Sequence, residues 1–184
     1  MISDTHRRLR DATHAHHARL ETRIDILNRI ATPEGRRELV ARFHALHTAA
    51  EQALAPFLVG VDGLDFDARR RSGRLAGDLA DLGAAPREPS APIVVGGVGE
   101  ALGLMYVLEG STLGGRVIRK QVESCGGDMH GLSFLDPYGA EVGDRWRAFL
   151  GVIEAEADVA GLVAGAVAGF AHSERHLCEA GGDD

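Results

Sequence analysis

The stretch MYVLEGSTLGGRVIRK, Met105 to Lys120, has the apolar spacing of an α-helix, yet it places Gly110, Gly114 and Gly115 within six residues. Glycine in a helix interior costs about 0.5–1 kcal/mol relative to alanine, because it loses more backbone freedom on folding. Such a helix is bare of side chains on one side and can kink. The stretch therefore predicts a helix that another surface approaches closely, either a second helix through the Gly110-x-x-x-Gly114 spacing or a planar ligand.

Helical spacing also dominates the rest of the chain, and no segment shows the alternation of a β-strand. Three prolines in residues 84–92 indicate a connection between helices. We predict an all-α single domain over residues 1–184, with Gly83 as a C-cap. The first predicted helix runs from a cap near Ser3 to the TPEG sequence at 32–35, and the second from Pro33 to a break at Pro56. The third lies within 65–83, the fourth runs from about 93 to 124, and helical spacing continues from about 144 to 177.

The composition of the chain indicates which partners and which cellular compartment to expect. Lys and Arg together number 20 against 27 Asp and Glu, a net charge of −7, and no basic stripe occurs, so we expect no nucleic-acid partner. Cys125 and Cys178 match no metal or redox spacing, which favours the reducing cytoplasm. The longest apolar run, residues 159–171, is shorter than the roughly 20 residues that span a bilayer, so we expect no membrane association.

Three histidines crowd the first predicted helix. With Leu9 at zero and about 100° per residue, His16 lies near 340°, His17 near 80° and His14 near 140°, while the apolar stripe centres near about 20°. His16 and His17 therefore flank the buried face and His14 points outward. Helical periodicity cannot decide whether His16 or His17 is a ligand or whether one of them is a hydrogen-bonded core residue.

Arg10 lies on the same side of this helix as His17. It precedes His17 by seven residues, which is about 10 Å along the axis. A histidine and a cation aligned in this way suit a flat metallocycle with carboxylate groups, since the imidazole can take the metal and the guanidinium a carboxylate. The alternative is an arginine in solvent beside Arg7 and Arg8.

Two motifs together resemble one known family. LRDATHAHHARLE, residues 9–21, is followed some ninety residues later by YVLEGSTLGG, residues 106–115. This pair is similar to the bacterial haem oxygenase family, closest to the members associated with bacteriophytochromes. The similarity extends to RSGRLAGDLADLG at 71–83 and WRAFL at 146–150. The resemblance implies a helical bundle with haem between a proximal N-terminal helix and a kinked, glycine-rich distal helix.

The resemblance also assigns roles to individual residues. The proximal iron ligand of the family falls five residues after the alanine of its AT dipeptide, which is His17 here, and Glu21 lies one turn beyond as its supporting residue. Arg10 and Arg147 correspond to basic positions that meet haem propionates. The distal helix over the haem contributes the close-approach residues Gly110, Gly114 and Gly115.

One position departs from the mammalian pattern, because Ser111 stands where those enzymes carry an aspartate that organises pocket waters. Bacterial members lack that aspartate as well, so the resemblance still implies activity. The hydroxyls of Ser111 and Thr112, backbone carbonyls or a more distant polar residue could hold the waters instead.

The implied activity is oxidative opening of haem to biliverdin, carbon monoxide and ferrous iron, with haem as substrate and cofactor at once. O2 is the co-substrate. No flavin or nucleotide fingerprint occurs, so electrons must come from an external donor such as a ferredoxin or a reductase. A bacteriophytochrome is the expected recipient of biliverdin where the product supplies a chromophore.

Three alternatives to a haem oxygenase can be weighed from the residues. A haem-binding or haem-transfer protein would share the same cradle without turnover. A di-iron protein would need paired Glu-x-x-His motifs on facing helices, which the chain does not supply. A helical interaction protein would leave the paired motifs as coincidence.

We expect Trp146, Phe149 and Phe170 to be core residues rather than a cofactor box, and His44 and His47 to be exposed rather than ligands.

Overall fold

The computed structural model describes residues 3–178 of the chain, and this part contains helices and connections but no strand. The predicted all-α class is confirmed; the ends of the predicted domain, residues 1–2 and 179–184, lie outside the described residues. Single-turn 3-10 helices occur at Asp67–Arg69, Ser133–Leu135 and Gly139–Glu141. The α-helices are α1 Asp4–Ile24, α2 Ile26–Ile30, α3 Pro33–Leu58, α4 Ser72–Asp81, α5 Val98–Ser124, α6 Val142–Ala155 and α7 Val159–Cys178.

Most predicted helix ends have an identifiable cap. The Ser3 hydroxyl accepts the His6 N–H at 3.2 Å, and the Thr32 hydroxyl accepts the Gly35 N–H at 3.1 Å. Gly83 has φ +61°, which confirms the predicted left-handed C-cap of α4. Asp25 also has a positive φ, of 42°, and separates α1 from α2.

Several predicted boundaries are wrong. The first predicted helix is divided at Asp25, and only Ser72–Asp81 of the predicted 65–83 is α-helix. Helix α3 continues past Pro56 to Leu58, because a proline in the last turn removes only one hydrogen bond there. Helix α5 begins at Val98 rather than near residue 93, and residues 93–97 are not helical. The region 144–177 is divided into α6 and α7 at residues 156–158, where an Asp158 carboxylate oxygen accepts the Gly161 N–H at 2.8 Å.

The centre of the fold is a close backbone contact between the first half of α5 and α7. A Cβ on Gly103 would overlap the Leu162 carbonyl and lie 2.8 Å from the Ala166 nitrogen. A Cβ on Gly165 would in turn lie 2.7 Å from the Glu100 carbonyl carbon. Side chains are excluded on both sides of this contact, so glycine is required at these positions by space rather than by backbone dihedrals.

Helix α1 also packs on α7, and a buried carboxylate joins the two helices. Glu174 of α7 accepts Arg19 Nε at 2.5 Å and lies 3.4 Å from Arg23 Nη1. Both α1 and α5 are therefore held against the same helix, with the glycine-rich second half of α5 extending beyond the contact.

No helix in residues 3–178 has the length and apolar character needed to cross a bilayer.

The α5–α7 contact predicts opposite effects of the same substitution at two glycines. Gly103→Ala should lower the free energy of unfolding by about 1–3 kcal/mol, because the added methyl group must push two helix backbones apart. Gly77→Ala, in a helical position of α4 with nothing within 4 Å of the added atom, should raise it by about 0.5–1 kcal/mol. Denaturant unfolding of both variants measures this, and equal stabilities would contradict the packing.

Candidate functional site

A cavity of about 680 Å³ lies between α1 and the second half of α5. Its volume is in the range of small-molecule sites, which are largely apolar with a few convergent polar groups. Helix α3 and helix α7 contribute Phe43, Leu46, Phe170 and Leu177 to its apolar walls. The space can therefore take a small, largely apolar molecule.

One face of α1 lines the cavity along its whole length. The lining residues recur every three or four positions, which is the spacing of one helix face. The face is polar toward the start of the helix and more apolar toward its end. In chain order its members are His6, Arg10, Thr13, His14, His17, Leu20, Glu21 and Ile24.

His17 lies in the middle region of this face, between a carboxylate and an aromatic ring. Its Nδ1 is 3.4 Å from a Glu21 carboxylate oxygen, and its side chain is 59% exposed. Its ring meets the edge of Phe170 with the centroids 5.9 Å apart. A carboxylate beside Nδ1 favours the tautomer with a proton there, so Nε2 keeps its lone pair for a metal. The structure thus brings the predicted His17 and Glu21 together.

Two of the other histidines of α1, His14 and His16, differ in their relation to the cavity. His14 is exposed, as expected, and it also lines the cavity, because the cavity covers a wider arc of α1 than the apolar stripe does. His16 is not a lining residue: it stacks on Phe170 at 6.4 Å, and its Nδ1 lies 3.2 Å from Arg19 Nη2. The structure therefore separates His16 from His17, which helical periodicity could not do.

The glycines of α5 divide between two tasks. A Cβ on Gly114 would meet nothing within 4 Å, and one on Gly110 would make only an ordinary contact of 3.7 Å with Trp146. Gly115 also borders the cavity, but a Cβ there would overlap the Leu135 carbonyl and lie 3.1 Å from Leu135 Cα. Gly110 and Gly114 thus present bare backbone to the cavity, whereas Gly115 is required for chain packing. The helix runs unbroken across all three, so the predicted kink is not an interruption of α5.

The end of the cavity nearest the start of α1 combines a cation with aromatic rings. The His6 ring lies 6.0 Å from that of Tyr106 and 6.1 Å from that of Trp146, and Arg10 lines the same region. Burial, with a smaller contribution from Arg10, lowers the pKa of His6, and burial raises the pKa of Tyr106. Arg10 and the neutral Tyr106 hydroxyl can therefore both donate hydrogen bonds to a carboxylate.

A buried polar group lies behind the glycines of α5. Arg71, 3% exposed, donates from Nη1 to the Ser111 hydroxyl at 3.2 Å and from Nη2 to the Leu108 carbonyl, while its Nε has no hydrogen-bond partner among residues 3–178. The Nδ1 of His47, also 3% exposed, lies 3.8 Å from Glu51 Oε1. The same oxygen accepts the backbone N–H of Arg71 at 2.6 Å. Both Arg71 and His47 line the cavity. This side of the cavity therefore offers a fixed cation, a hydroxyl and an imidazole.

Comparison with known proteins adds a curated relative. No protein-family model matches the sequence. A haem oxygenase of Xanthomonas campestris pv. campestris (strain 8004) is 35% identical over 151 residues, which covers 77% of this chain and 86% of the relative. The chain belongs to the haem oxygenase family. It is accordingly an enzyme of that family.

A solved structure gives the same fold. The haem oxygenase of Neisseria meningitidis, determined with NO and with CO bound, superposes with a TM-score of 0.79 over 97% of this chain and 94% of its own. Its sequence is 22% identical, so this likeness bears on the fold alone. The all-helical architecture is therefore the haem oxygenase fold.

Arg147 is the predicted residue of this family member that the structure does not bring to the cavity. Its side chain is 75% exposed and forms an ion pair with Asp144 one turn earlier. Trp146 takes the cavity-facing position, and the next residue of a helix is rotated by about 100° away from it. The expected propionate contact therefore has no support from the position of Arg147.

Several cavity residues escaped the sequence analysis. Phe149 and Phe170 are buried core residues as predicted, and Phe170 lines the cavity as well. Trp146 is only partly buried and lines the cavity. His47 was expected to be exposed; that expectation is wrong because α3 is buried around most of its circumference. The only sequence feature at Arg71 is its place in an arginine run, RRRS at 69–72, that precedes a helix.

The burial of His47 predicts a dependence of stability on pH. Burial, with Arg71 and His44 adding to it, lowers the pKa of His47 well below its usual value, so the folded state keeps this imidazole neutral. The unfolded chain takes up the proton first, and stability is therefore lost as the pH falls below about 6.5, by at most about 1.4 kcal/mol per pH unit.

His47→Gln should reduce this loss between about pH 7 and pH 5, since it removes the titrating group. The exposed His130 provides a matched His130→Gln control that should keep the wild-type slope. Urea unfolding of the three proteins at several pH values measures the effect. Parallel slopes for wild type and His47→Gln would contradict the assignment.

Proposed function

We propose that the chain binds haem between α1 and α5 and opens its ring with O2 and donor electrons, giving biliverdin, carbon monoxide and ferrous iron. One observation carries the proposal: His17, held at Nδ1 by Glu21, lines the cavity that the bare backbone of Gly110 and Gly114 bounds on the α5 side. Membership of the haem oxygenase family supports it.

On the proximal side, His17 Nε2 would hold the iron. Glu21 orients the imidazole and favours the tautomer with its proton on Nδ1, and Phe170 limits the tilt of the ring. His14 also lines the cavity but has no comparable carboxylate contact among the hydrogen bonds and ion pairs of the described residues. The proposal therefore assigns the iron to His17.

At the end of the cavity where α1 begins, Arg10 and Tyr106 would hold the propionates. Arg10 contributes a positive charge that no other cavity-lining residue of α1 can match at neutral pH. The opposite end, with Leu20, Ile24 and Ile26, suits the apolar edge of the ring. This polarity gives the macrocycle one preferred orientation.

On the distal side, the missing side chains of Gly110 and Gly114 leave room for a small molecule over the ring. Ser111, fixed by Arg71 and by its own bond to the Leu108 carbonyl at 2.6 Å, presents a hydroxyl there. Arg71 Nε and neutral His47 add a donor and a possible proton carrier. These groups would order polar molecules and deliver protons in place of the aspartate of mammalian relatives.

Bound haem supplies both the iron that activates O2 and the ring that is cleaved. The electrons would come from a separate donor, such as a ferredoxin or a reductase, in the cytoplasm. The likeness of the two motifs to bacteriophytochrome-associated members supports a bacteriophytochrome as the recipient of biliverdin.

Turnover by the purified chain tests this function. Haem-loaded wild type, given a reductant in air, should lose its haem absorption and yield biliverdin on chromatography. His17→Ala should lose this activity, while His16→Ala, whose ring packs on Phe170 away from the cavity, should retain it. Persistence of the wild-type haem spectrum would instead support a haem-binding or haem-transfer protein.

Substitution of the cavity-facing glycines should separate haem binding from ring opening. Gly114→Leu places a branched side chain in the open space, so turnover should fall by about a hundredfold while haem affinity changes far less, because attack requires reacting atoms within about 3–3.5 Å. Gly110→Ala should be mild, since its methyl group fits beside Trp146.

Haem titration and biliverdin yield measure both variants. If Gly114→Leu makes biliverdin at the wild-type rate, Gly114 does not border the space in which the ring is opened.

A further inference from the structure

A buried ion pair lies directly before the first cavity-facing glycine of α5. Arg69 Nη1 is 2.6 Å from Glu109 Oε2, and both side chains are only 2% exposed. Glu109 immediately precedes Gly110, so this carboxylate lies at the start of the segment 110–114, which we call the glycine wall. Nothing in the proposed chemistry uses either group directly.

The second oxygen of the same carboxylate is also bound. Tyr138 donates its hydroxyl to Glu109 Oε1 at 2.8 Å. Burial and the Glu109 charge raise the pKa of Tyr138, which keeps its hydroxyl protonated and able to donate. Both oxygens of Glu109 are thus held by side chains from outside α5.

Arg69 connects this carboxylate to two further parts of the chain. Its Nε donates to the Leu64 carbonyl at 2.6 Å, and its Nη2 donates to the Arg145 carbonyl of α6 at 3.3 Å. The guanidinium also lies 5.7 Å from the ring centroid of Phe149. The position of Glu109 is therefore fixed relative to the loop before α4, the loop before α6, and α6 itself.

Stability alone does not account for this cluster. Burying two charges costs desolvation energy that their attraction often fails to recover, and apolar replacements of similar volume are commonly as stable. What an apolar replacement would not supply is one defined position for α5. The glycine wall is thereby fixed at both ends, by Glu109 before Gly110 and by the packing of Gly115 on Leu135.

We propose that Glu109, held by Arg69 and Tyr138, is a positioning residue that fixes the glycine wall and thereby determines which meso edge of the ring is opened. The inference rests on the proposed function. The four meso carbons of haem are chemically alike, so the choice among them depends on where the wall leaves space. A displacement of about 1 Å is enough to change which atoms come within reacting distance.

Three sets of variants test the inference. Tyr138→Phe removes one hydrogen bond from Glu109 and keeps its charge. Glu109→Gln weakens the ion pair, and the double variant Arg69→Met with Glu109→Leu removes both buried charges, so that folding does not depend on an unpaired one. Glu123→Gln, in the exposed Arg119–Glu123 pair on the same helix, is the control.

Two measurements apply to every variant. The first is hydrogen exchange of amides 110–115 in the protein without haem, and the second is the dissociation constant of haem together with the distribution of biliverdin isomers. The cluster variants should exchange these amides at least about tenfold faster, bind haem within about threefold of wild type, and release more than one isomer. Wild type and Glu123→Gln should release one isomer.

The outcomes separate this inference from the proposed function. Cluster variants that release the single wild-type isomer at the wild-type rate overturn the inference while the proposed function stands. A wild type that makes no biliverdin overturns the proposed function, and this inference with it.

Discussion

The contact of α5 with α7 through glycine is the constraint on which the rest of the structure depends. Because Gly103 and Gly165 have no side chains, the two helix backbones meet directly, and α5 can take only one lateral position on α7. Helix α1 is held on the same helix by Glu174 and two arginines. The gap between α1 and α5 is consequently set by a third helix, and a cavity results without any side chain filling it.

The same helix therefore uses glycine for two different purposes. In its first half, and at Gly115, the absent side chain allows protein backbone to approach closely. At Gly110 and Gly114, it leaves space open to the cavity. The buried polar residues lie just behind this open segment, where Arg71 and Glu109 hold α5 in place. Open space and fixed position are both needed where a small molecule must be oriented, and the combination explains why so many charges are buried beside one helix.

The all-α fold and the shared face of α1 that lines the cavity were predictable from sequence, because helical periodicity and the spacing within each motif are local signals. His17, Glu21 and Arg10 fall on one face by helix geometry alone. Residues brought in by tertiary contact were not predictable: Arg71 and His47 come from other segments, and their burial depends on how α3 and α4 pack. The position of Arg147 outside the cavity lining was not predictable for a related reason, since a variable loop precedes α6 and a shift of one residue changes which side chain faces the cavity.

A crystal structure of the chain with haem would show at once which residues meet which parts of the ligand. We expect iron bonded to Nε2 of His17, propionates beside Arg10 and Tyr106, and the backbone of Gly110 and Gly114 across the opposite face of the ring. Iron bonded to His14 or His6, or haem lying outside the space between α1 and α5, would contradict this expectation.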